Sequence, residues 1–104
     1  MSMARKDRRA EILERVRQIA LTAMQGFPCT IYLFGSFARG DEQTSSDIDV
    51  GIEAPTTVPF DKLSNLRQEF EDSTIPYRVD VVDLNTASAT LRDKVRKEGI
   101  RWSV

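Results

Sequence analysis

Apolar side chains recur every three or four residues in three stretches of the chain, and this spacing predicts three amphipathic helices. The first helix is predicted over residues 5–25, ending before Gly26, and the third over residues 88–99, ending at Gly99. The first helix starts with a basic cluster between Arg5 and Arg9. We expect this cluster to be a solvated helix end, with a contact to RNA or to an acidic partner as the alternative.

The second predicted helix covers residues 58–72, where Thr57 is a candidate N-terminal cap and Pro59 lies near the first turn. Its apolar positions form a stripe along one face. We therefore expect Phe60 and Phe70 to lie in the hydrophobic core rather than to stack on nucleic-acid bases.

The shorter apolar segments predict strands. Residues 29–34, with the sequence CTIYLF, are apolar on both alternating faces, which predicts a central strand covered on both sides. Residues 76–84 predict a further strand, and residues 100–104 form either a final edge strand or a docked tail. Residues 47–53 alternate strictly between an apolar face of Ile48, Val50 and Ile52 and an opposite face of Asp47, Asp49, Gly51 and Glu53.

This succession of helices and strands predicts an α+β fold, in which a small mixed β-sheet of three to four strands is backed by helices. A chain of 104 residues with 40% hydrophobic content can form one compact core and is too short for two. We expect a single domain over residues 1–104.

The charged side chains nearly cancel, since 15 basic and 16 acidic residues give a net charge of -1. A general nucleic-acid binder needs a strong positive field, so we expect no nucleic acid among the partners. Cys29 is the single cysteine, and no apolar run approaches the roughly 20 residues of a membrane span. We therefore expect a cytoplasmic protein with no internal disulfide, no secretory leader and no membrane contact.

The absence of histidine from the sequence excludes Ser-His-Asp and Cys-His mechanisms, so any catalysis must depend on carboxylates. Asp47 and Asp49 point to the same side of the predicted strand, roughly 6.5 Å apart along it, and can bind one cation or bridge two. Mg²⁺ commonly takes one or two carboxylates together with substrate phosphates. The alternative is that the pair lies on the solvated face of a strand, although aspartate is depleted there.

A third carboxylate is expected from a neighbouring strand. Asp80 is the leading candidate, because Val79 and Val81 can face the core while Asp80 faces away. Asp83 has the opposite parity and is the weaker candidate. Three carboxylates in one cleft repel one another, which favours a site for divalent metal, and two metals roughly 3.5 to 4 Å apart can activate an attacking hydroxyl.

Gly35 and Ser36 follow the first predicted strand where a helix is expected to begin, and backbone N–H groups and a hydroxyl there can hold phosphate. Arg39 can add a charged contact to the same phosphate. Taken singly, a Gly-Ser pair is more commonly an ordinary turn and an arginine is more commonly solvated. Their position close to the aspartate pair is what makes them candidate nucleotide-binding residues.

These residues form the pattern G-S-x10-D-x-D, which resembles the signature of the DNA polymerase beta-like nucleotidyltransferase superfamily. The segments GSFARG, SDIDV and VDVVDL are most similar to the minimal nucleotidyltransferases, the MNT proteins that act as antitoxins beside HEPN-domain toxins. The resemblance implies the nucleotidyltransferase fold, similar to the polymerase beta palm. It also implies a role for each candidate: Asp47, Asp49 and Asp80 as catalytic residues and metal ligands, and Gly35 and Ser36 as phosphate binders.

By the same resemblance, the reaction is an Mg²⁺-dependent transfer of AMP from ATP to a hydroxyl, with pyrophosphate leaving. The acceptor in that family can be a tyrosine of the partner toxin. Larger transferases of the superfamily carry a further helical domain, so with 104 residues we expect the acceptor surface to come from a HEPN-type partner, or from a homodimer. The alternatives are a non-catalytic antitoxin that neutralises its partner by complex formation, and an enzyme that modifies a small molecule or an RNA end.

Overall fold

The computed structural model describes residues 5–102, with side chains from Asp7 onward. Helices and strands alternate along this part of the chain. The helices are α1 (Arg5–Ala23), α2 (Ser36–Arg39), α3 (Phe60–Asp72) and α4 (Ala89–Glu98), and the strands are β1 (Thr30–Phe34), β2 (Ile48–Glu53), β3 (Val79–Asp83) and β4 (Ile100–Trp102).

The four strands form one mixed sheet in the order β3-β2-β1-β4. Strand β1 pairs antiparallel with both β2 and β4, whereas β2 and β3 are parallel. The apolar segment of residues 29–34 therefore forms the inner strand that its composition predicts, and residues 100–102 form the edge strand. These findings confirm the α+β fold with a mixed sheet; the last two residues of the predicted tail lie outside the described part of the chain.

The two faces of the sheet are covered by different helices. One face packs against α1 and α3, and the other packs against α4. This division follows from strand geometry, because side chains alternate between the faces with a period of two. The α1 and α3 side contains the larger set of buried side chains, among them Val16, Ala20, Ile31, Leu33, Ile48, Val50, Ile52, Leu63, Leu66 and Phe70, and the α4 side contains Tyr32, Leu84 and Val95.

Helix α4 begins and ends close to its predicted bounds. The Ser88 hydroxyl accepts a hydrogen bond from the backbone N–H of Leu91 at 3.1 Å, which caps the first turn. At the other end the Gly99 N–H donates to the carbonyl of Val95 at 2.8 Å. A side chain at position 99 would approach that carbonyl to 2.5 Å, so only glycine fits there. Across residues 5–102, no helix combines the length and hydropathy needed to span a membrane.

The start of α3 differs from the sequence-based prediction. The helix begins at Phe60 rather than residue 58, and its N-cap is Pro59, with no capping hydrogen bond from a side chain, so Thr57 is not the cap. Val58 is buried in the preceding loop. Phe70 is buried as predicted, but Phe60 is 80% exposed and its predicted place in the core is wrong.

The reason for the exposure of Phe60 is its angular position on the helix. The buried stripe of α3 is formed by Leu63, Leu66 and Phe70. At 3.6 residues per turn, Phe60 projects about 90° away from the middle of that stripe. The apolar periodicity extends to the first residue of the helix, but the neighbouring Val58 takes the available core position.

The two phenylalanines of α3 provide a matched test of this packing. Replacing the buried Phe70 with alanine leaves a cavity, and we expect Phe70→Ala to lower the free energy of unfolding by about 3–5 kcal/mol. Phe60→Ala removes an exposed ring and should change it by less than about 0.5 kcal/mol. Denaturant unfolding of both variants checks this, and equal losses would contradict the assignment of the core.

Candidate functional site

The acidic residues of the predicted site meet where β2 and β3 run side by side. Asp49 of β2 is the register partner of Asp80 on β3. Because these strands are parallel and paired in register, side chains at the two positions face the same side of the sheet. Asp47 lies directly before β2 rather than in it, because the strand begins at Ile48.

The charges of these carboxylates influence one another. Partial burial raises the pKa of Asp49, and the negative charges of Asp80 and Asp47 raise it further. The positive charge of Arg39 acts in the opposite direction and lowers this pKa. The structure therefore brings Asp47, Asp80 and Arg39 together around Asp49, as the sequence predicts.

The sequence-based prediction treats Asp47, Asp49 and Asp80 as a set of metal ligands. Within the described residues, no group of three His, Cys, Asp or Glu side chains is arranged to hold a metal ion. The carboxylates therefore do not form a closed cage of protein ligands. Their hard oxygen donors nevertheless suit Mg²⁺, which usually completes its coordination with substrate phosphates and water. Metal binding by these three residues stays a prediction.

Gly35 joins the other half of the motif to Asp49. Its φ of 75° and ψ of -155° lie in a region that residues with a side chain rarely adopt. A Cβ atom added to Gly35 would lie 2.2 Å from Oδ2 of Asp49. Position 35 must therefore be glycine for two reasons, the backbone conformation and the close approach of the carboxylate.

The short helix α2 contains the two other nucleotide-binding candidates, Ser36 at its first position and Arg39 at its last. The carbonyl of Ser36 accepts hydrogen bonds from the N–H groups of Gly40 at 2.9 Å and Asp41 at 3.1 Å, which form a tight turn. Arg39 is exposed, and its Nε lies 3.2 Å from the Asp41 carboxylate. Ser36 directly follows Gly35, which lies against Asp49, and Arg39 acts on Asp49 electrostatically.

Asp83, the weaker candidate for the third carboxylate, has a different role. It pairs in register with Ile52, three positions beyond Asp80 along β3. Its carboxylate accepts a hydrogen bond from the backbone N–H of Asn85 at 3.0 Å, and the Asn85 side chain in turn bonds to the backbone of Ala54. Asp83 therefore organises the loop after β3, and the structure favours Asp80 for the site.

An open groove lies at the β3 edge of the sheet and reaches one member of the acidic cluster, Asp80. It has a volume of about 590 Å³ and lies between α3 and β3, with Arg67 and Tyr77 among its lining residues. Asp80 lies on its wall and is exposed. Space for a substrate is thus available beside the candidate third carboxylate.

Sequence reasoning missed the contacts of Arg9, which belongs to the basic cluster at the start of α1. Its guanidinium pairs with Glu42 and also donates to the carbonyl of Phe37. The predicted solvated helix end is therefore wrong for Arg9, although Arg8 is exposed and the side chains of residues 5 and 6 lie outside the described part. Arg9 and Glu42 are 33 positions apart, and no local pattern indicates such a pair.

The chain is similar in sequence to known proteins. Residues 17–101 match the family model described as Polymerase beta, Nucleotidyltransferase. A Haemophilus influenzae protein described as a probable protein adenylyltransferase, MntA, is 31% identical over 96 residues, which are 92% of this chain and 82% of that protein.

Two solved structures from toxin-antitoxin complexes are also similar. One, a toxin-antitoxin crystal structure with AMP-PNP, includes a chain with 30% identity and a TM-score of 0.67, and the match covers 84% of this chain and 72% of that one. The other is a tri-AMPylated Shewanella oneidensis HEPN toxin in complex with an MNT antitoxin. It has 25% identity and a TM-score of 0.66, and the match covers 91% of this chain and 71% of that one.

The matched region includes every residue of the candidate site, from Gly35 to Asp80. The family and fold predicted from the G-S-x10-D-x-D pattern are thereby confirmed. The chain belongs to the polymerase beta nucleotidyltransferase family.

Proposed function

We propose that this chain is an Mg²⁺-dependent protein adenylyltransferase that acts as an antitoxin in the cytoplasm. In this proposal it transfers AMP from ATP to a hydroxyl, namely a tyrosine of a HEPN-type partner toxin. The supporting observation is the placement of Asp49 between Asp80 and Gly35, which unites both halves of the motif in one site. The relative described as a probable protein adenylyltransferase and the AMPylated HEPN toxin complex support the reaction and the partner.

In this proposal, each residue on the nucleotide side has a role. Gly35 leaves space for the Asp49 carboxylate, and backbone N–H groups in the turn after β1 would donate to a phosphate. The Ser36 hydroxyl can donate to a phosphate oxygen, and the Arg39 guanidinium adds positive charge. Together they would hold the triphosphate with its α-phosphorus toward the carboxylates.

The carboxylates would bind the metal ion and accept the proton of the acceptor hydroxyl. Asp47 and Asp49 would hold Mg²⁺, and a bound Mg²⁺ would neutralise phosphate charge during the transfer. Asp80 is exposed beside the groove, where it can accept the proton of an incoming hydroxyl. The hydroxyl oxygen then forms the new bond to the α-phosphorus, and the bond from that phosphorus to pyrophosphate breaks.

A second candidate function is neutralisation by complex formation without catalysis. It is favoured by one observation, which is that the two solved structures described above come from toxin-antitoxin complexes. Covering the toxin surface requires neither ATP nor the carboxylates, so the two functions predict different variant behaviour.

The transfer reaction is tested by incubating the purified HEPN-type partner with this chain, ATP and Mg²⁺, and measuring the intact mass of the partner. We expect a gain of one or more AMP units. In the double variant Asp47→Asn with Asp49→Asn, the rate should fall by at least about 100-fold, because the proposed metal ligands are lost. Asp93→Asn, an exposed carboxylate on α4, is the matched control and should leave the rate unchanged.

The outcomes separate the two functions. A mass gain that persists in the double variant would contradict the role of these carboxylates. A partner that stays unmodified, and that still forms a tight complex with the wild-type chain and with the double variant, would support neutralisation by complex formation instead.

Metal binding is tested through stability. The pKa of Asp49 is raised in the folded protein, so its contribution to stability is present below the ordinary aspartate pKa and is lost as pH rises through the raised value. At neutral pH without metal, Asp49→Asn should therefore raise the melting temperature by a few degrees. Added Mg²⁺ should stabilise the wild type more than the variant, because cation binding offsets the repulsion.

Calorimetry with and without EDTA measures both effects. The same comparison near pH 3 is the internal control, since Asp49 is then protonated in both states and the advantage of the variant should disappear. A variant that is less stable than the wild type at neutral pH would contradict the electrostatic account.

The close approach of Asp49 to Gly35 is tested with two glycines that both have a positive φ but differ in ψ, which is -155° at Gly35 and 15° at Gly40. Gly35 has a φ of 75° and Gly40 a φ of 82°, but a Cβ would meet Asp49 at position 35 and nothing within 4 Å at position 40. Gly40→Ala should cost about 1 kcal/mol of unfolding free energy through backbone strain. Gly35→Ala should cost about 1–3 kcal/mol and also abolish ATP binding. Equal effects on ATP affinity would contradict the proposed site.

A further inference from the structure

Arg9 connects helix α1 to both halves of the segment between Gly35 and Asp47. Its Nε lies 2.8 Å from Oε2 of Glu42, and one of its terminal nitrogens lies 3.1 Å from Oε1 of the same carboxylate. The same terminal nitrogen donates to the backbone carbonyl of Phe37 in α2. One guanidinium thus holds the helix after Gly35 and the loop before Asp47 at the same time.

This pair is well placed to be strong. A two-point contact between arginine and a carboxylate fixes the orientation of both groups as well as their distance. The Arg9 side chain is 34% exposed and that of Glu42 is 19% exposed, so water screens the pair less than a typical surface pair. The Arg9 guanidinium also lies 5.8 Å from the centre of the Phe37 ring, and Phe37 is itself buried.

The segment that Arg9 holds has little local stability of its own. Helix α2 has four residues, which is too short to be stable without tertiary contacts. The buried ring of Phe37 is one such contact, and it packs edge-on against Tyr77 at a distance of 5.0 Å. The loop that follows forms its own turn, in which the backbone N–H of Gln43 donates to the Ser46 hydroxyl. The pair between Arg9 and Glu42 links this loop to the body of the protein.

We propose that Arg9 and Glu42 are positioning residues that hold residues 35–47 in the conformation that binds nucleotide. This inference rests on the proposed function, because Gly35, Ser36 and Asp47 are its nucleotide and metal residues. Arg9 lies outside the G-S-x10-D-x-D pattern, and Glu42 occupies one of its variable positions. Their effect on nucleotide binding passes through the backbone that they fix, with no contact to the substrate.

The test compares two ion pairs of the same kind in the full chain. Arg9→Gln and Glu42→Gln each remove the charge of one partner of the proposed pair. Arg96→Gln is the matched control, because Arg96 also makes a two-point contact, with Glu53 at the opposite end of β2 from Asp49. Arg9→Lys keeps the charge but not the two-point geometry, and it tests partial rescue.

Three measurements follow each variant. Hydrogen exchange reports the opening of residues 35–47 without any nucleotide, calorimetry gives the affinity for ATP with Mg²⁺, and the transfer assay gives KM for ATP and kcat. For Arg9→Gln and Glu42→Gln we expect faster exchange confined to this segment and about a tenfold rise in KM for ATP, with a smaller change in kcat. Arg9→Lys should have an exchange rate and a KM for ATP between those of these variants and the wild type. Arg96→Gln should match the wild type in the exchange of residues 35–47 and in KM for ATP.

The outcomes are separable from those of the proposed function. Unchanged exchange over residues 35–47, or faster exchange without loss of ATP affinity, would overturn the positioning role. An effect of Arg96→Gln as large as that of Arg9→Gln would overturn it as well, because any lost ion pair would then suffice. A wild-type protein that binds no ATP would overturn the proposed function, and the exchange data would still decide whether Arg9 holds the segment.

Discussion

The repulsion among carboxylates around Asp49 is the constraint on which the rest of the site depends. Asp49 is partly buried, and Asp47 and Asp80 add negative charge beside it. Such a cluster is unfavourable in the folded protein unless it is compensated, since burial and like charges both disfavour ionisation. The compensation visible in the chain is the nearby positive charge of Arg39. In the proposed function, a phosphate-bound Mg²⁺ would supply the remainder.

The strand that contains Asp49 also anchors the core. Ile48, Val50 and Ile52 of β2 are fully buried on the face toward α1 and α3. Their burial fixes the register of β2 against its neighbours, because a slip of one residue would turn them away from α1 and α3 and turn Asp49 into that core. The hydrophobic face therefore stabilises the acidic one, and the free energy of core packing offsets the electrostatic cost at the site.

The turn after β1 shows how a short motif depends on distant parts of the chain. Gly35 provides the backbone conformation and the space that Asp49 occupies. The four residues of α2 that follow are held by contacts from other elements, including the ring of Tyr77 and the guanidinium of Arg9. The surrounding fold thus maintains the geometry of the motif.

The sequence by itself determined the α+β fold, the inner position of residues 29–34 and the carboxylate pair, because alternation along a strand is a local property. Spacing also indicated Asp80 rather than Asp83 as the third carboxylate. Tertiary structure decided the exposure of Phe60 and the pairing of Arg9 with Glu42. At the end of a helix, an apolar residue can project away from the buried stripe, as Phe60 does. Contacts between residues 33 positions apart depend on how the helices and strands pack, which no local pattern encodes.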